Sequence, residues 1–300
     1  MKPLIALVTA REARGLDEDM PLLEAALHAA GARSQVVDWD EAPVDWGSFA
    51  VALLRSTWDY TDRLPEFLAW VDATARHTTM LNPPPVVRWN TDKHYLAELA
   101  RAAVPVVPST FIEPGESADR ALHAFLTRHG DTSEFVVKPS VGAGSRDTQR
   151  HGRTEFEPAV AQAQRLLSDE RSVLLQPYLD SVDRDGETAL IYIAGQFSHA
   201  IRKGPLLPPG LAGSPAVGLF APEKITPRTP GVDELRVADR VLAALPFAAP
   251  LYARIDLIRD ATGAPTLLEL ELTEPSLFFA HATGAAERFT AALLEVARTG

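Results

Sequence analysis

The chain has 300 residues, enough for two or three small domains, and its 46% hydrophobic and 23% charged content is that of an ordinary globular protein. A net charge of −11 argues against general binding to nucleic acid or to an anionic membrane, while leaving room for an anionic substrate in a local cationic cleft. Cysteine is absent, which excludes disulfides, thiolate catalysis and zinc–thiolate sites; with no run of about 18 apolar residues and no signal-peptide pattern, a cytoplasmic protein is expected.

Leu4 to Thr9 reads as a parallel strand, followed by a loop from Ala10 to Leu16 and a helix from Met20 to Ala30 that Gly31 stops. Further strands are expected over Gln35 to Trp39 and Phe49 to Leu54, giving a βαβ-like start with ligand-binding loops at the strand ends. A helix over Glu66 to Arg76 follows, then a rigid connector through Pro83, Pro84 and Pro85. Asp92 to Ala103 reads as a helix with Thr91 as N-cap. Thr110 to Glu113 is a short strand, Ser117 to Gly130 a helix, and Phe135 to Lys138 a strand running into Pro139. Pro158 to Leu167 is helical, Val173 to Gln176 a strand, and Thr188 to Ala194 with Gln196 to Ile201 a hairpin about Gly195. Lys203 to Ala221 is rich in Pro and Gly and reads as a long functional loop. Asp233 to Leu245 and Ala285 to Ala297 complete the helices.

The stretches Ala253 to Ile258 and Leu267 to Leu272 alternate apolar and polar residues, as half-buried strands do. Glu269 and Glu271 then share one face, and Leu268, Leu270 and Leu272 the other. If a hairpin turns with Asp260 opposite Pro265, Asp256 falls opposite Glu269 and Arg254 opposite Glu271. Like charges facing each other across a sheet are destabilising, so three acids on one face ask for a cation; oxygen-only donors favour Mg²⁺ or Mn²⁺. The alternative is a solvated hairpin face.

Val136 to Ser145 joins a strand and Lys138 to a small-residue loop whose N–H groups can approach phosphate oxygens. The order of lysine and glycines is not that of a Walker A loop, and the spacing is not that of a dinucleotide loop. Taken singly, this stretch reads more readily as a simple turn with a surface lysine. Thr91-Asp-Lys93 and the pair Arg202 and Lys203 are similarly ambiguous.

Their order along the chain is more specific. Thr-Asp-Lys, Val-Val-Lys-Pro with a glycine loop, Leu-Gln-Pro-Tyr-Leu, Gly-Glu-Thr, then Arg-Ile-Asp and Leu-Glu-Leu-Glu occur in sequence between about residues 80 and 280. This resembles the ATP-grasp superfamily of carboxylate–amine ligases, nearest the glutathione-synthetase and ribosomal-protein-modification branch. The resemblance implies an α/β protein of three parts: an N-terminal α/β domain over 1–90, a central lid over 91–180 and a C-terminal domain with the metal site over 181–300. It implies that Lys93 and Lys138 hold ATP phosphates under a mobile loop of Gly142, Ala143, Gly144 and Ser145. Gln176, Pro177, Tyr178 and Leu179 would form the adenine hinge, with Asp183 or Glu187 on the ribose. Asp256, Glu269 and Glu271 would be the Mg²⁺ ligands, Glu271 standing where many relatives carry Asn. Arg254, with Arg202 or Lys203, would stabilise the transferring phosphoryl group.

Substrate choice belongs to other segments. Arg55, Ser56, Thr57 and Asp59 follow a strand and suit an amino-acid-like ligand, or form a turn packed by Trp58. Glu274 and Ser276 follow the metal strand directly, and the loop from Gly204 to Leu219 could cover the site. These stretches also resemble cycloserine-forming ligases of antibiotic pathways. That resemblance implies phosphorylation of the carboxylate of O-ureido-D-serine and ring closure by its ureido nitrogen. An intermolecular amino-acid or peptide ligase, a kinase without ligation and a non-catalytic nucleotide-binding regulator stand as alternatives. No nucleic-acid or membrane partner is expected, and homodimerisation is left open.

Overall fold

The computed structural model describes residues 2–205, 207 and 224–299. Most of the expected loop from Lys203 to Ala221 therefore lies outside the described residues.

The N-terminal part alternates strands and helices: β1 (Leu4–Thr9), α1 (Met20–Ala29), β2 (Arg33–Asp38), β3 (Val51–Ser56), α2 (Leu64–Thr74) and β4 (Thr79–Leu81). The strands form one sheet in the order β2-β1-β3-β4, all parallel. Their apolar runs are buried on both faces, as a doubly covered parallel sheet requires.

The triple proline does not form an open connector. Residues Pro84–Asn90 are a helix, α3, with prolines in its first turn. There the missing N–H costs nothing and the fixed φ suits a helix. The helix expected from Asp92 is correspondingly shorter: α4 spans Tyr95–Arg101, and Thr91 bonds back to the Arg88 carbonyl rather than capping it. Lys93 thus sits in a tight link between two helices.

The middle part holds β5 (Thr110–Ile112), α5 (Ala118–Arg128), β6 (Glu134–Pro139), β7 (Gln149–Gly152), α6 (Phe156–Ser168) and β8 (Val173–Pro177). The sheet order is β5-β8-β6-β7, antiparallel throughout, with α5 and α6 packed on one side around Phe125, Phe135 and Leu166.

The last part contains α7 (Ser181–Asp185), β9 (Glu187–Ile193), β10 (Gln196–Lys203), β11 (Ile225–Arg228), α8 (Val232–Ala243), β12 (Tyr252–Arg259), β13 (Pro265–Glu271) and α9 (Ala285–Thr299). Its antiparallel sheet runs β11-β10-β9-β12-β13. Gly186 enters β9 at φ +69°, and a β-carbon there would collide with the Lys203 carbonyl, so only glycine lets the start of β9 lie this close to the end of β10.

The first and last sheets share a core. Ile5, Leu7, Leu23 and Leu27 pack with Ile191, Ile201, Leu277 and Phe289. Asn82 sews the seam: its Nδ2 donates to the Tyr252 and Leu272 carbonyls at 3.0 and 2.6 Å, and its Oδ1 accepts from Leu251 N–H at 2.9 Å. No described helix is long and apolar enough to cross a membrane.

Candidate active site

The expected pairing of the acidic hairpin is present, with one local difference. Asp256 faces Glu269 and Arg254 faces Glu271, but the turn pairs Arg259 with Pro265 and a bulge at Leu268 restores the offset. The extra residue breaks the strict alternation at Leu268, which lines the same cavity as Glu269 and Glu271, while the Leu270 side chain stays in the core with Ile255 and Tyr95.

That cavity encloses about 410 Å³, the scale of a small-molecule site. It lies where all three sheets meet. From β6 and β8 come Lys138, Gln176 and Pro177; from β9, β10 and β12 come Glu187, Lys203 and Arg254; Trp58 and Tyr60 close it from the N-terminal part.

Charge pairing inside it is dense. Lys93 Nζ stands 3.0 Å from Glu269 and donates to the Gly142 carbonyl at 2.8 Å, tying the glycine loop to the acidic strand. Lys203 bridges Glu187 at 3.0 Å and Asp256 at 3.1 Å. The Arg254 fork reaches Asp256 through Nε and Nη2, both at 3.0 Å, also donates to Glu271, and gives Nη1 to the Ser276 carbonyl at 3.3 Å. Burial would raise the Glu269 carboxyl, but Lys93 and Lys138 outweigh it and hold the group at about 2. Burial pushes Glu271 up to about 7 despite Arg254, and burial with the Glu271 charge pushes Glu274 up to about 8, where Tyr60 is its hydrogen-bond partner. Burial, with Lys93 nearby, lowers Lys138.

The expected convergence of three acids on one point is not the arrangement found. Among the described residues, no group of three His, Asp or Glu side chains stands ready to hold a metal ion. The cations separate the acids. Glu269 and Glu271 line the cavity as oxygen donors and fit a hard divalent ion; Asp256, 1% exposed beneath the floor, could join them by exchanging Arg254 or Lys203 for it.

The glycine loop is seated rather than free. Gly142, Ala143, Gly144 and Ser145 line the cavity, Ala143 packs on the N-terminal core, and Arg146 pairs with Asp62. Gln176, Pro177, Tyr178 and Leu179 border an apolar slot with Val136, Val182, Ile258 and Leu268. The Tyr178 N–H is already spent on the Glu134 carbonyl. Of the two acids expected near the ribose, Glu187 lines the cavity, whereas Asp183 accepts from Tyr178 Oη at 2.6 Å and Arg150 at 3.1 Å. Arg202 is directed elsewhere: it donates to the Asp185 and Arg184 carbonyls, which leaves Lys203 as the cation at the cavity.

The expected substrate segment needs the largest correction. Glu274 and Ser276 line the cavity, but Arg55, Ser56 and Thr57 are fully buried behind it. Arg55 pairs with Asp17 and Asp19 at 3.3 Å, and Ser56 Oγ bonds Thr9 Oγ1 at 2.7 Å. Asp59 accepts from Trp39 Nε1 at 2.8 Å and pairs with Arg63. The residues of this segment that reach the cavity are Trp58 and Tyr60, together with Leu16, Glu18 and Asp19 from the loop before α1. Replacing Arg55 with Met strands two buried carboxylates and is expected to cost about 3–5 kcal/mol. A fall in the urea midpoint with unchanged slope checks this; an unchanged midpoint would count against the triad.

The chain matches the model of the D-cycloserine synthetase DcsG N-terminal domain over residues 5–82. It is 41% identical over 298 residues to the cycloserine biosynthesis protein DcsG of Streptomyces lavendulae, covering 97% of this chain and 98% of that protein. The crystal structure of D-cycloserine synthetase DcsG superposes with a TM-score of 0.91 at 41% identity, over 98% of this chain and 99% of that one. The ATP-grasp ligase PsnB, solved with a phosphomimetic variant of its minimal precursor, Mg and ADP, superposes at 0.66 with 20% identity over 98% of each chain, which extends the likeness to the fold. Three sheets around one charged cavity are thus an ATP-grasp architecture, and the chain belongs to the DcsG family.

Proposed function

We propose that the chain is an ATP- and Mg²⁺-dependent carbon–nitrogen ligase that cyclises O-ureido-D-serine to D-cycloserine, with ADP and phosphate as co-products. The observation that carries this is the set of four cations, Lys93, Lys138, Lys203 and Arg254, facing one cavity with Glu269 and Glu271, in a chain 41% identical to a cycloserine biosynthesis protein along nearly its whole length.

A carboxylate is a poor electrophile. Transfer of the γ-phosphoryl group of ATP to it forms a carboxyl–phosphate C–O–P linkage and releases ADP. The oxygen-bound ureido nitrogen then attacks the acyl carbon, and the C–O bond to phosphate breaks. Ring closure leaves a carbamoyl group on that nitrogen; water removes it as carbon dioxide and ammonia. Lys93 and Lys138 bind phosphate oxygens, and Lys203 with Arg254 balances charge on the transferring group. Val136, Leu179 and Leu268 form an apolar slot that suits an adenine ring, with the hinge main chain beside it. Glu269, Glu271 and Asp256 would hold Mg²⁺ or Mn²⁺, which when bound supplies further neutralisation of phosphate charge. Domain limits near residues 90 and 180 are part of this reading; the separate middle sheet of β5 to β8 supports them, although α4 packs on the C-terminal sheet.

Incubation with ATP, Mg²⁺ and O-ureido-D-serine alone is expected to give equal amounts of ADP, phosphate and a product with the mass of cycloserine. Phosphate release only when a second amine is supplied would replace this proposal with an intermolecular ligase.

A further inference from the structure

Phe278 follows the acidic strand in a conformation that few residues with a β-carbon adopt. Its φ is +53° and its ψ +43°, the left-handed region, where a bulky side chain is a genuine outlier. Such strain persists only where the surroundings over-determine it. Here the surroundings are specific. Asp19 accepts three successive backbone N–H groups, from Leu277 and Phe278 through Oδ2 at 2.5 and 3.0 Å and from Phe279 through Oδ1 at 2.7 Å. Arg55 braces Asp19 from behind at 3.3 Å, and His199 Nε2 donates to the Leu277 carbonyl at 2.8 Å. The held backbone turns the Phe278 ring into the cavity wall, 5.5 Å from the Arg254 guanidinium and edge-on to His281 at 6.4 Å. No backbone need of the turn explains a phenylalanine here; glycine would take this φ without strain.

We propose that Phe278 is a shield beside the activated carboxyl, held there by Asp19, which keeps water and outside amines away so that the substrate's own nitrogen is the one that attacks. This deepens the cyclase proposal and rests on it. The reaction at stake is simple. A water oxygen attacking the acyl carbon breaks the C–O bond to phosphate, regenerates the carboxylate, releases a proton and wastes one ATP. Hydroxylamine attacking the same carbon gives a hydroxamate and phosphate. A flat apolar ring over the cation that balances the transferring group denies both nucleophiles a hydrated approach.

The test is the ratio of phosphate released to cyclised product, with hydroxylamine as the outside nucleophile, in the full-length chain. Wild type is expected at a ratio of one with no hydroxamate. Phe278→Gly removes the ring while easing the backbone, so the loop should stay in place; its ratio is expected to rise roughly threefold or more, with hydroxamate appearing. Phe278→Leu, which keeps an apolar side chain, should stay near one. A Phe278→Gly variant that cyclises at a ratio of one without hydroxamate would overturn the proposal. So would loss of all phosphate release in Phe278→Gly beside normal Phe278→Leu, since the ring would then serve activation. Cyclisation by the wild type is read separately and tests the cyclase proposal by itself.

Discussion

Glu269→Gln is expected to lower turnover by about a thousandfold or more, close to 4 kcal/mol of transition-state stabilisation, with the fold intact. Glu269 stands at the centre of the site's charge pattern: it lines the cavity, pairs with Lys93 at 3.0 Å and is kept ionised by the surrounding lysines. Gln keeps the size and one oxygen but removes the negative charge. The Mg²⁺ concentration for half-maximal activity should rise at least about tenfold, because a neutral amide is a far weaker ligand for a hard cation. Its position at the cavity rather than in the core predicts an unchanged circular-dichroism spectrum and a melting temperature within about 3 °C of wild type. Activity within about threefold of wild type would remove Glu269 from the site.

Arg254→Lys should be nearly as severe, with a fall of about a hundredfold to a thousandfold in kcat. One planar guanidinium contacts Asp256, Glu271 and the Ser276 carbonyl together. A lysine ammonium cannot span that fork, so at least one of these partners is released. Asp256, 1% exposed, would keep Lys203 but lose its bidentate partner, so this variant should also lose about 1–3 kcal/mol of stability, unlike Glu269→Gln. A lysine variant with wild-type kcat and midpoint would show that charge alone suffices there.

What was legible in the sequence was local. Alternation and a turn at Asp260 gave the facing of Asp256 with Glu269 and of Arg254 with Glu271, although the bulge at Leu268 was hidden because its offset cancels that of the turn. The prolines at 83–85 have the composition of a connector; their fitness for a first helical turn depends on Val86 and Val87 finding a core, which only the folded chain supplies. Short edge elements such as β7 and β11 carried too little periodicity to be seen. The burial of Arg55 is hidden in the sequence for a different reason. Arg, Ser, Thr and Asp after a strand suit a ligand, but Asp17 and Asp19, 38 and 36 residues earlier, neutralise this arginine inside the fold. The acids of the site were visible as residue types, yet their pairing with Lys93, Lys203 and Arg254 comes from three separate strands and a helix link. The left-handed Phe278 had no signature at all, because glycine or asparagine is the usual residue in that region.

The most direct measurement follows oxygen. O-ureido-D-serine labelled with ¹⁸O in both carboxylate positions is turned over with unlabelled ATP and Mg²⁺, without any other amine, and the phosphate is analysed by mass. Activation of the carboxylate as an acyl phosphate predicts one labelled oxygen in each phosphate released and one retained in the ring carbonyl of cycloserine. Unlabelled phosphate beside a fully formed ring would contradict carboxylate activation, and with it the assignment of Lys93, Lys138, Lys203 and Arg254 to a phosphoryl transfer onto the substrate.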